Sequence, residues 1–279
     1  MNVLLTGAYG RCGTAIIDHL HDAPSYEFTY FDRNDPDDGE YGEYDTVVAD
    51  VADAQELRSA AAGQDAMIHL AGFPFADGSW QDVHQPNIIG TLNALEAARE
   101  AELETVVFAS SNHVMGMYEA DNAPELYFGS DAPFRLSDDD PIRPDSYYGV
   151  SKSFGEALCR YYVENYEYPK RAHAIRICSV RMPEYDHPFG DAENGADSGE
   201  FDRDSEEYEQ QVARMKGMWQ SRRDFAHMIE CCLQTDEPGF EIFSGVSDND
   251  RRWYSIENAQ ETIDYDPQDN GEEWDAPPE

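Results

Sequence analysis

The stretch Asn2-Val-Leu-Leu-Thr-Gly-Ala-Tyr-Gly-Arg-Cys-Gly13 decides the fold. Apolar residues over 2–6 predict a short strand, and apolar positions at helical spacing over 14–21 predict a helix directly after the glycines. A strand, a glycine-rich turn and a helix N-terminus together direct backbone N–H groups at a pyrophosphate. The sequence therefore predicts a dinucleotide-binding turn. The residues expected to contact the cofactor within it are Gly7, Tyr9, Gly10, Arg11 and Gly13.

Strands and helices alternate along the residues that follow. Strands are predicted over 26–31, 46–49, 66–70 and 105–109, and helices over 54–62 and 87–101. This alternation predicts an α/β fold built on a doubly wound parallel sheet. Ligands of such sheets bind in the crevice at the carboxyl ends of the strands. The residues that strand ends bring to this crevice are Asp32, Asp50, Val51, Leu70, Ala71, Gly72, Ser110, Ser111, Asn112 and His113.

Asp32 ends the second predicted strand, about 20 residues after the glycine-rich turn. A carboxylate at this place binds the adenosine ribose hydroxyls and repels a 2′-phosphate. Arg33 follows immediately and offsets part of that preference. We expect NAD rather than NADP, and we expect Asp50 to meet the adenine amine.

Tyr148-x-x-x-Lys152 runs into the start of a helix predicted over 151–162. Residues four apart share one face of a helix, and a cation beside a phenol lowers its pKa, so the pair is suited to proton transfer near neutral pH. A solvated Tyr/Lys face is the alternative. Against it, the chain has three lysines among 19 basic residues and keeps one at this spacing.

Composition limits the possible partners. The chain has 279 residues, with 58 acidic and 19 basic residues and a net charge of −39 spread along its length. Such a charge argues against nucleic-acid binding. Together with the scarcity of lysine it is typical of the cytoplasm of an extreme halophile, and an acidic protein of a mesophile is the alternative. Five cysteines without Cys-x-x-Cys spacing predict free thiols, and the histidines show no metal-ligand spacing. Without an apolar run that spans a bilayer or a signal peptide before the first strand, we expect a cytoplasmic protein without a membrane partner or a metal site.

Taken together, these motifs resemble the extended short-chain dehydrogenase/reductase family, over about the first 180 residues. The segments Phe108-Ala-Ser-Ser-Asn-His113, Tyr148-Gly-Val-Ser-Lys-Ser-Phe-Gly-Glu156 and Arg176-Ile-Cys-Ser179 are similar to the uronate dehydrogenases of that family. The segments Asp248-Asn-Asp-Arg-Arg-Trp-Tyr-Ser255 and Tyr265-Asp-Pro-Gln-Asp-Asn270 are similar to haloarchaeal NAD-dependent glucose-6-phosphate dehydrogenases. The resemblance implies a Rossmann-type NAD-binding domain over 1–180 and a small C-terminal substrate domain over 181–279.

The resemblance also implies a mechanism. Tyr148 would take the proton of the anomeric hydroxyl while C1 of a cyclic sugar passes hydride to NAD, leaving a lactone. Lys152 would lower the pKa of Tyr148 and hold the nicotinamide ribose, and Ser111 would orient the reacting oxygen. Cofactor contacts are further implied for Asn87, Ser110, Tyr148, Lys152 and Ile177. Sugar contacts are implied for Ser111, Asn112, His113, Ser179 and Arg214.

Substrate identity stays open at this stage. Arg214 matches the arginine that grips the carboxylate in uronate dehydrogenases, but a guanidinium suits phosphate equally, and Lys216 lies nearby. A surface salt bridge is the alternative role for Arg214. Pro74 stands where the uronate enzymes have serine, whereas Ser179 keeps the uronate-type residue. Glucose 6-phosphate is the first expectation, a hexuronate the second, and arabinose or galactose the third.

Other functions share this fold. A nucleotide-sugar epimerase or dehydratase usually has a larger carboxyl-terminal domain and acidic residues where this chain has Asn112 and His113. A non-catalytic NAD-sensing protein typically lacks the tyrosine. We further expect a homodimer or homotetramer formed through helices over 87–101 and 151–165. Residues 186–209 are expected to form an acidic insertion with little periodicity, either a lid or a solvated loop, and residues 264–279 a loosely ordered tail.

Overall fold

The computed structural model describes residues 1–36, 41–42, 44–129 and 134–278. The strands are β1 (Asn2–Thr6), β2 (Glu27–Asp32), β3 (Thr46–Val48), β4 (Ala66–His69), β5 (Thr105–Ser111), β6 (Arg171–Ile177) and β7 (Gly239–Gly245). The helices up to the middle of the chain are α1 (Arg11–Leu20), α2 (Ala54–Ala61), α3 (Trp80–Val83), α4 (Gly90–Glu100), α5 (Gly116–Ala120) and α6 (Glu125–Phe128). They are followed by α7 (Tyr147–Asn165), α8 (Gly190–Ser198), α9 (Glu206–Met218), α10 (Arg222–Gln234) and α11 (Glu257–Ile263).

Within the described residues, the seven strands form one sheet in the order β3-β2-β1-β4-β5-β6-β7. All neighbouring strands are parallel. Both faces are covered by helices: Ile16 of α1 and Phe225 of α10 join the core on one face, and Leu57 of α2 and Leu95 of α4 join it on the other. The predicted Rossmann-type doubly wound sheet is confirmed. Its strand order reverses beside β1, which opens a crevice at the carboxyl ends of β1 and β4.

Residues beyond 180 also contribute to this sheet. β7 pairs with β6 along its full length, and α10 packs against α1. The division into a cofactor domain over 1–180 and a substrate domain over 181–279 stays a prediction, and the second part supplies one strand and one covering helix of the sheet.

The helix predicted over 87–101 begins earlier and is irregular. Its first turn is α3, and residues His84–Ile89 form a π-helical segment before α4. Pro86 lies in that segment and has no N–H to donate to an α-helical bond, which favours the wider turn. The wider turn places Pro86 in the crevice.

The expectation of a solvated loop over 186–209 is wrong. Residues Gly190–Ser198 form α8, whose buried face consists of Gly190, Ala192 and Gly195. The acidic side chains of α8 form salt bridges, because Arg203 pairs with both Glu193 and Asp197. Small buried residues carry little hydropathy signal, so this helix could not be recognised by apolar periodicity.

The expectation of a loosely ordered tail is also wrong for the described residues 264–278. Tyr265 is 1% exposed, and its hydroxyl donates to Val246 O over 3.0 Å. The buried carboxylate of Asp224 accepts the backbone N–H groups of Gln268 and Asp269 at 2.9 and 3.0 Å. The tail is therefore fixed by backbone N–H groups on Asp224 and by side-chain bonds such as that of Arg223 with Asp269, neither of which gives a hydropathy signal.

A helix with the length and apolarity required to cross a bilayer is absent from the described part of the chain.

Candidate active site

A cleft of about 620 Å³ lies at the carboxyl ends of the strands. It is lined by every residue predicted to bind cofactor or substrate except Asn87. Sequence reasoning missed some of its lining, including Cys12, Phe73, Phe75, Ala109, Cys178 and Arg181. The structure thus brings residues from the glycine-rich turn after β1 through to α9 into one site.

The glycine-rich turn leaves room for a pyrophosphate. Gly7 has a φ of +73°, which favours glycine, and a Cβ on Gly13 would lie 2.3 Å from Ala8 O. By contrast, a Cβ on Gly10 would have Gly7 O at 3.5 Å as its nearest neighbour, so this backbone faces open space in the cleft. Gly10 is the N-cap of α1, so the backbone N–H groups of the first helical turn, which have no partner within the helix, follow it directly. These residues fit the diphosphate of NAD.

Asp32 stands at the mouth of the cleft at the end of β2. Its carboxylate accepts N–H groups from Tyr9 at 3.2 Å and from Asn34 at 3.0 Å, which fixes its orientation. Asp50 is exposed beside the buried Val51 at the end of β3. This arrangement fits an adenosine whose ribose meets Asp32, as predicted.

Asn87 does not line the cleft, and its contact with the cofactor stays a prediction. It is 2% exposed. Its amide accepts from Phe73 N at 2.6 Å and donates to Phe73 O at 3.1 Å and to Ser151 Oγ at 2.9 Å. These bonds hold the loop after β4 against α7. A Cβ on Gly72 would approach Asn87 Oδ1 to 2.8 Å, so the tight loop requires a residue without a side chain there.

Tyr148 and Lys152 lie on the first two turns of α7, which begins at the Ser146 cap; Ser146 Oγ accepts from Gly149 N over 3.1 Å. Both side chains are buried, at 9% and 5% exposure. Lys152 Nζ donates to Ala109 O at 2.7 Å and lies 5.5 Å from the centre of the Tyr148 ring. The predicted pairing on one helix face is therefore present.

The predicted lowering of the Tyr148 pKa is not found in this structure. Burial raises the pKa of Tyr148 to about 12, and a hydrogen bond with Ser111 opposes only part of that rise. Burial also lowers the pKa of Lys152 to about 8, because the ammonium has left water. Desolvation is the largest cause of both shifts.

Ser111, Asn112 and His113 follow one another at the end of β5. Ser111 Oγ accepts from His113 N over 3.2 Å and starts the short helical turn that holds the three residues. Asn112 is 3% exposed, and its Nδ2 has no hydrogen-bond partner among the described residues. A buried donor without a partner in a cleft is suited to bind a ligand oxygen.

His113 is oriented by a carboxylate that the sequence reasoning missed. Its Nδ1 lies 2.7 Å from Asp145 Oδ2, and its ring meets the Tyr148 ring edge to face at 5.7 Å. Burial raises the pKa of Asp145, but the hydrogen bond and charge of His113 outweigh it and hold that pKa below its usual value. The one sequence signal for this role of Asp145 was its position directly before Ser146, the N-cap of α7.

Arg214 and Ser179 form the far end of the cleft. Arg214 Nε and Nη2 bond Glu119 Oε1 and Oε2 at 2.5 and 3.3 Å. Its guanidinium is therefore paired, and it also lines the cleft. Lys216 does not line the cleft and bonds Trp274 O at 2.9 Å, so its predicted share in an anion site is not supported. Glu119 lies 95 residues from Arg214, and no local pattern could identify it.

The chain is similar to sugar dehydrogenases along almost its full length. It is 39% identical to an NAD-dependent glucose-6-phosphate dehydrogenase of Haloferax volcanii, covering 98% of this chain and 95% of the relative. It is 32% identical to an L-arabinose 1-dehydrogenase (NAD(P)(+)) of the same organism, covering 96% of each. It is 31% identical to a uronate dehydrogenase of Agrobacterium fabrum, covering 97% of this chain and 85% of the relative.

Solved structures agree with these relatives. A glucuronic acid dehydrogenase from Chromohalobacter salexigens superposes with a TM-score of 0.75 at 31% identity, covering 98% of this chain and 86% of the other. A mutant uronate dehydrogenase from Agrobacterium tumefaciens complexed with NAD gives a TM-score of 0.73 at 30% identity, with the same coverage.

These similarities confirm the predicted resemblance and the predicted cofactor, NAD. The model of the NAD dependent epimerase/dehydratase family matches residues 3–232, which is more than half of the chain. The chain therefore belongs to the NAD dependent epimerase/dehydratase family.

Proposed function

We propose that this protein is an NAD-dependent sugar C1 dehydrogenase that oxidises the anomeric carbon of a cyclic sugar to a lactone, with glucose 6-phosphate as the first candidate substrate. The observation that carries the proposal is the meeting of Ser111, Tyr148 and Lys152 in one cleft, beside the amide nitrogen of Asn112, which has no partner among the described residues. The 39% identity to a glucose-6-phosphate dehydrogenase supports the choice of sugar.

NAD, when bound, supplies the hydride acceptor for this reaction. On the protein side, Tyr148 accepts the proton of the anomeric hydroxyl while C1 is oxidised. Ser111 donates a hydrogen bond to the reacting oxygen and directs it toward the phenol. Lys152 as an ammonium stabilises the phenolate, since a neighbouring cation favours the ionised form. Asn112 and His113 bind adjacent hydroxyl groups.

A hexuronate is the second candidate, supported by the lining residues Ser179 and Arg214 and by the similarity to uronate dehydrogenases. A neutral aldose is the third, supported by the carboxylate of Glu119 that already pairs with Arg214 and by the similarity to an arabinose dehydrogenase. The test is NADH formation in molar KCl with glucose 6-phosphate, glucuronate, galacturonate and L-arabinose in parallel. Oxidation of glucose 6-phosphate with the lowest KM is the expected result. If none of the four sugars is oxidised while NAD binds, the proposal fails and an epimerase becomes the better reading.

We also propose a homodimer or homotetramer formed through α4 and α7. Leu92, Val150 and Tyr161 on these helices are 37, 46 and 49% exposed, and such apolar groups gain free energy when a second copy covers them. Light scattering at high salt should then give a multiple of the 31.5 kDa chain mass. A single species at the mass of one chain would remove this proposal.

A further inference from the structure

The arginines at the substrate end of the cleft are already paired with carboxylates. Arg214 bonds Glu119 through two nitrogens, and Arg181 bonds Asp191 through its Nε and through its Nη2, the latter at 2.6 Å. All four side chains are mostly withdrawn from solvent, with exposures between 12 and 21%. Ion pairs in such surroundings are screened less by salt than pairs on the surface.

The pairing leaves one edge of Arg214 free for a substrate. A guanidinium carries five N–H donors in a planar fork, and Glu119 takes the edge formed by Nε and Nη2. The edge formed by Nη1 and Nη2 is the one left for a carboxylate or a phosphate, although Tyr127 also interacts with the guanidinium. An anion bound there would share one guanidinium with Glu119, so the two negative groups would repel each other at short range.

Glu119 is held in the ionised form. Burial raises its pKa, but the charge of Arg214 outweighs this effect and keeps the pKa below the usual value of a glutamate. Tyr127 OH donates to Glu119 Oε1 at 2.8 Å and disperses part of the negative charge. Glu119 therefore places a negative charge behind an arginine that lines the cleft.

We propose that Glu119 is a specificity-determining residue that sets how strongly the cleft prefers an anionic sugar over its neutral counterpart. Its carboxylate fixes the direction of the Arg214 guanidinium and offsets its charge. The pocket is thereby tuned to moderate rather than maximal affinity for phosphate and carboxylate groups. This inference rests on the proposed function, because it concerns the substrate of the same site.

The direct test is the variant Glu119→Gln, which keeps an acceptor for Arg214 Nε and for Tyr127 OH but removes the negative charge. Glucose 6-phosphate and glucose form a matched substrate pair that differs only in the phosphate. We expect the ratio of their kcat/KM values to rise about tenfold in favour of glucose 6-phosphate, through a lower KM with little change in kcat.

Two controls separate charge at the site from general effects. Asp121→Asn removes the same charge two residues away, where Asp121 pairs with Arg143 and is 48% exposed, and it should leave the ratio unchanged. Tyr127→Phe removes the hydrogen bond to Glu119 and concentrates its charge, so the ratio should fall by about twofold to threefold. This variant tests the inference from the opposite direction if Glu119→Gln does not fold.

The inference is overturned if Glu119→Gln leaves the ratio unchanged or lowers it, or if Asp121→Asn raises it equally. With Tyr127→Phe alone, an unchanged or higher ratio overturns it. Calorimetric titration of the NAD-loaded protein with 1,5-anhydroglucitol 6-phosphate and with 1,5-anhydroglucitol, which lack the anomeric hydroxyl, gives the same comparison without turnover. A wild-type protein that oxidises no sugar therefore contradicts the proposed function, whereas an unchanged ratio of binding constants contradicts the role of Glu119.

Discussion

Tyr148 and Lys152 lie one helical turn apart on α7, and both side chains are buried away from water. Burial raises the pKa of the phenol to about 12 and lowers that of the ammonium to about 8. Both shifts oppose the charged pair that proton abstraction requires. The spacing of the two residues in the sequence showed that they meet, but the depth of the helix against β5, which sets these shifts, follows from tertiary packing.

The variant Tyr148→Phe should abolish turnover and leave the fold intact. The phenyl ring fills the same space, and the lost hydroxyl interacts mainly with Ser111. We expect a loss of kcat of about a thousandfold or more, because a positioned proton acceptor typically contributes a factor of 10² to 10⁴. NADH formation measures the effect, and NAD binding should persist. Tyr147→Phe is the matched control: its side chain is 56% exposed, and its activity should stay near wild type. Turnover by Tyr148→Phe at a comparable rate would refute the assignment.

His173 should make the protein sensitive to acid. It is 2% exposed, its ring stacks on Phe243 at 5.6 Å, and neither ring nitrogen has a partner among the described residues. Burial lowers its pKa from 6.5 to about 4, and Arg171 adds to the shift. Between these values the unfolded chain binds more protons, so stability is lost as the pH falls from 6.5 toward 4.

The variant His173→Phe removes this titration. Relative to its own stability at neutral pH, it should lose about 2 kcal/mol less than wild type at a pH of about 5. Denaturant unfolding at the two pH values measures the difference. Equal losses in the two proteins would show that His173 is not protonated on unfolding.

At the scale of elements, two glycines of the glycine-rich turn have different roles: Gly13 allows the backbone to pack closely, and Gly10 keeps the cleft open for the cofactor. Gly13→Ala should lower the melting temperature by several degrees, because its Cβ would lie 2.3 Å from Ala8 O and 2.4 Å from Gly7 O. Gly10→Ala should leave the melting temperature near wild type and weaken NAD binding about tenfold or more, because its methyl group would project into the cleft. Thermal unfolding and NAD titration of both variants test this division. Normal NAD affinity in Gly10→Ala would contradict it.

Elements with strong periodic patterns could be predicted from the sequence, and those held by other forces could not. β1 and α1 bury continuous apolar faces, which hydropathy marks clearly. α8 instead buries glycine and alanine, and the tail is fixed by backbone N–H groups on Asp224. The same limit applies to the site: strand ends predicted the cofactor crevice, but Glu119 reaches Arg214 only through the fold.

The whole molecule carries a net charge of −39, and its stability should depend on salt. The Debye length falls from about 10 Å at 0.1 M salt to about 3 Å at 1 M, which weakens the repulsion among surface carboxylates. We expect the melting temperature to rise by about 10 °C or more between 0.1 and 2 M KCl. Sucrose at matched water activity serves as a control without screening. An equal rise in sucrose, or none in KCl, would contradict the charge argument.

Hydride transfer from C1 is the central claim, and isotope transfer tests it most directly. The best substrate of the sugar panel, deuterated at C1, is incubated with NAD and the wild-type protein, and the NADH is analysed by mass spectrometry. The account predicts NADH that carries deuterium, together with a lactone or its hydrolysed acid. NADH without deuterium, or a rearranged sugar without accumulation of NADH, would contradict it.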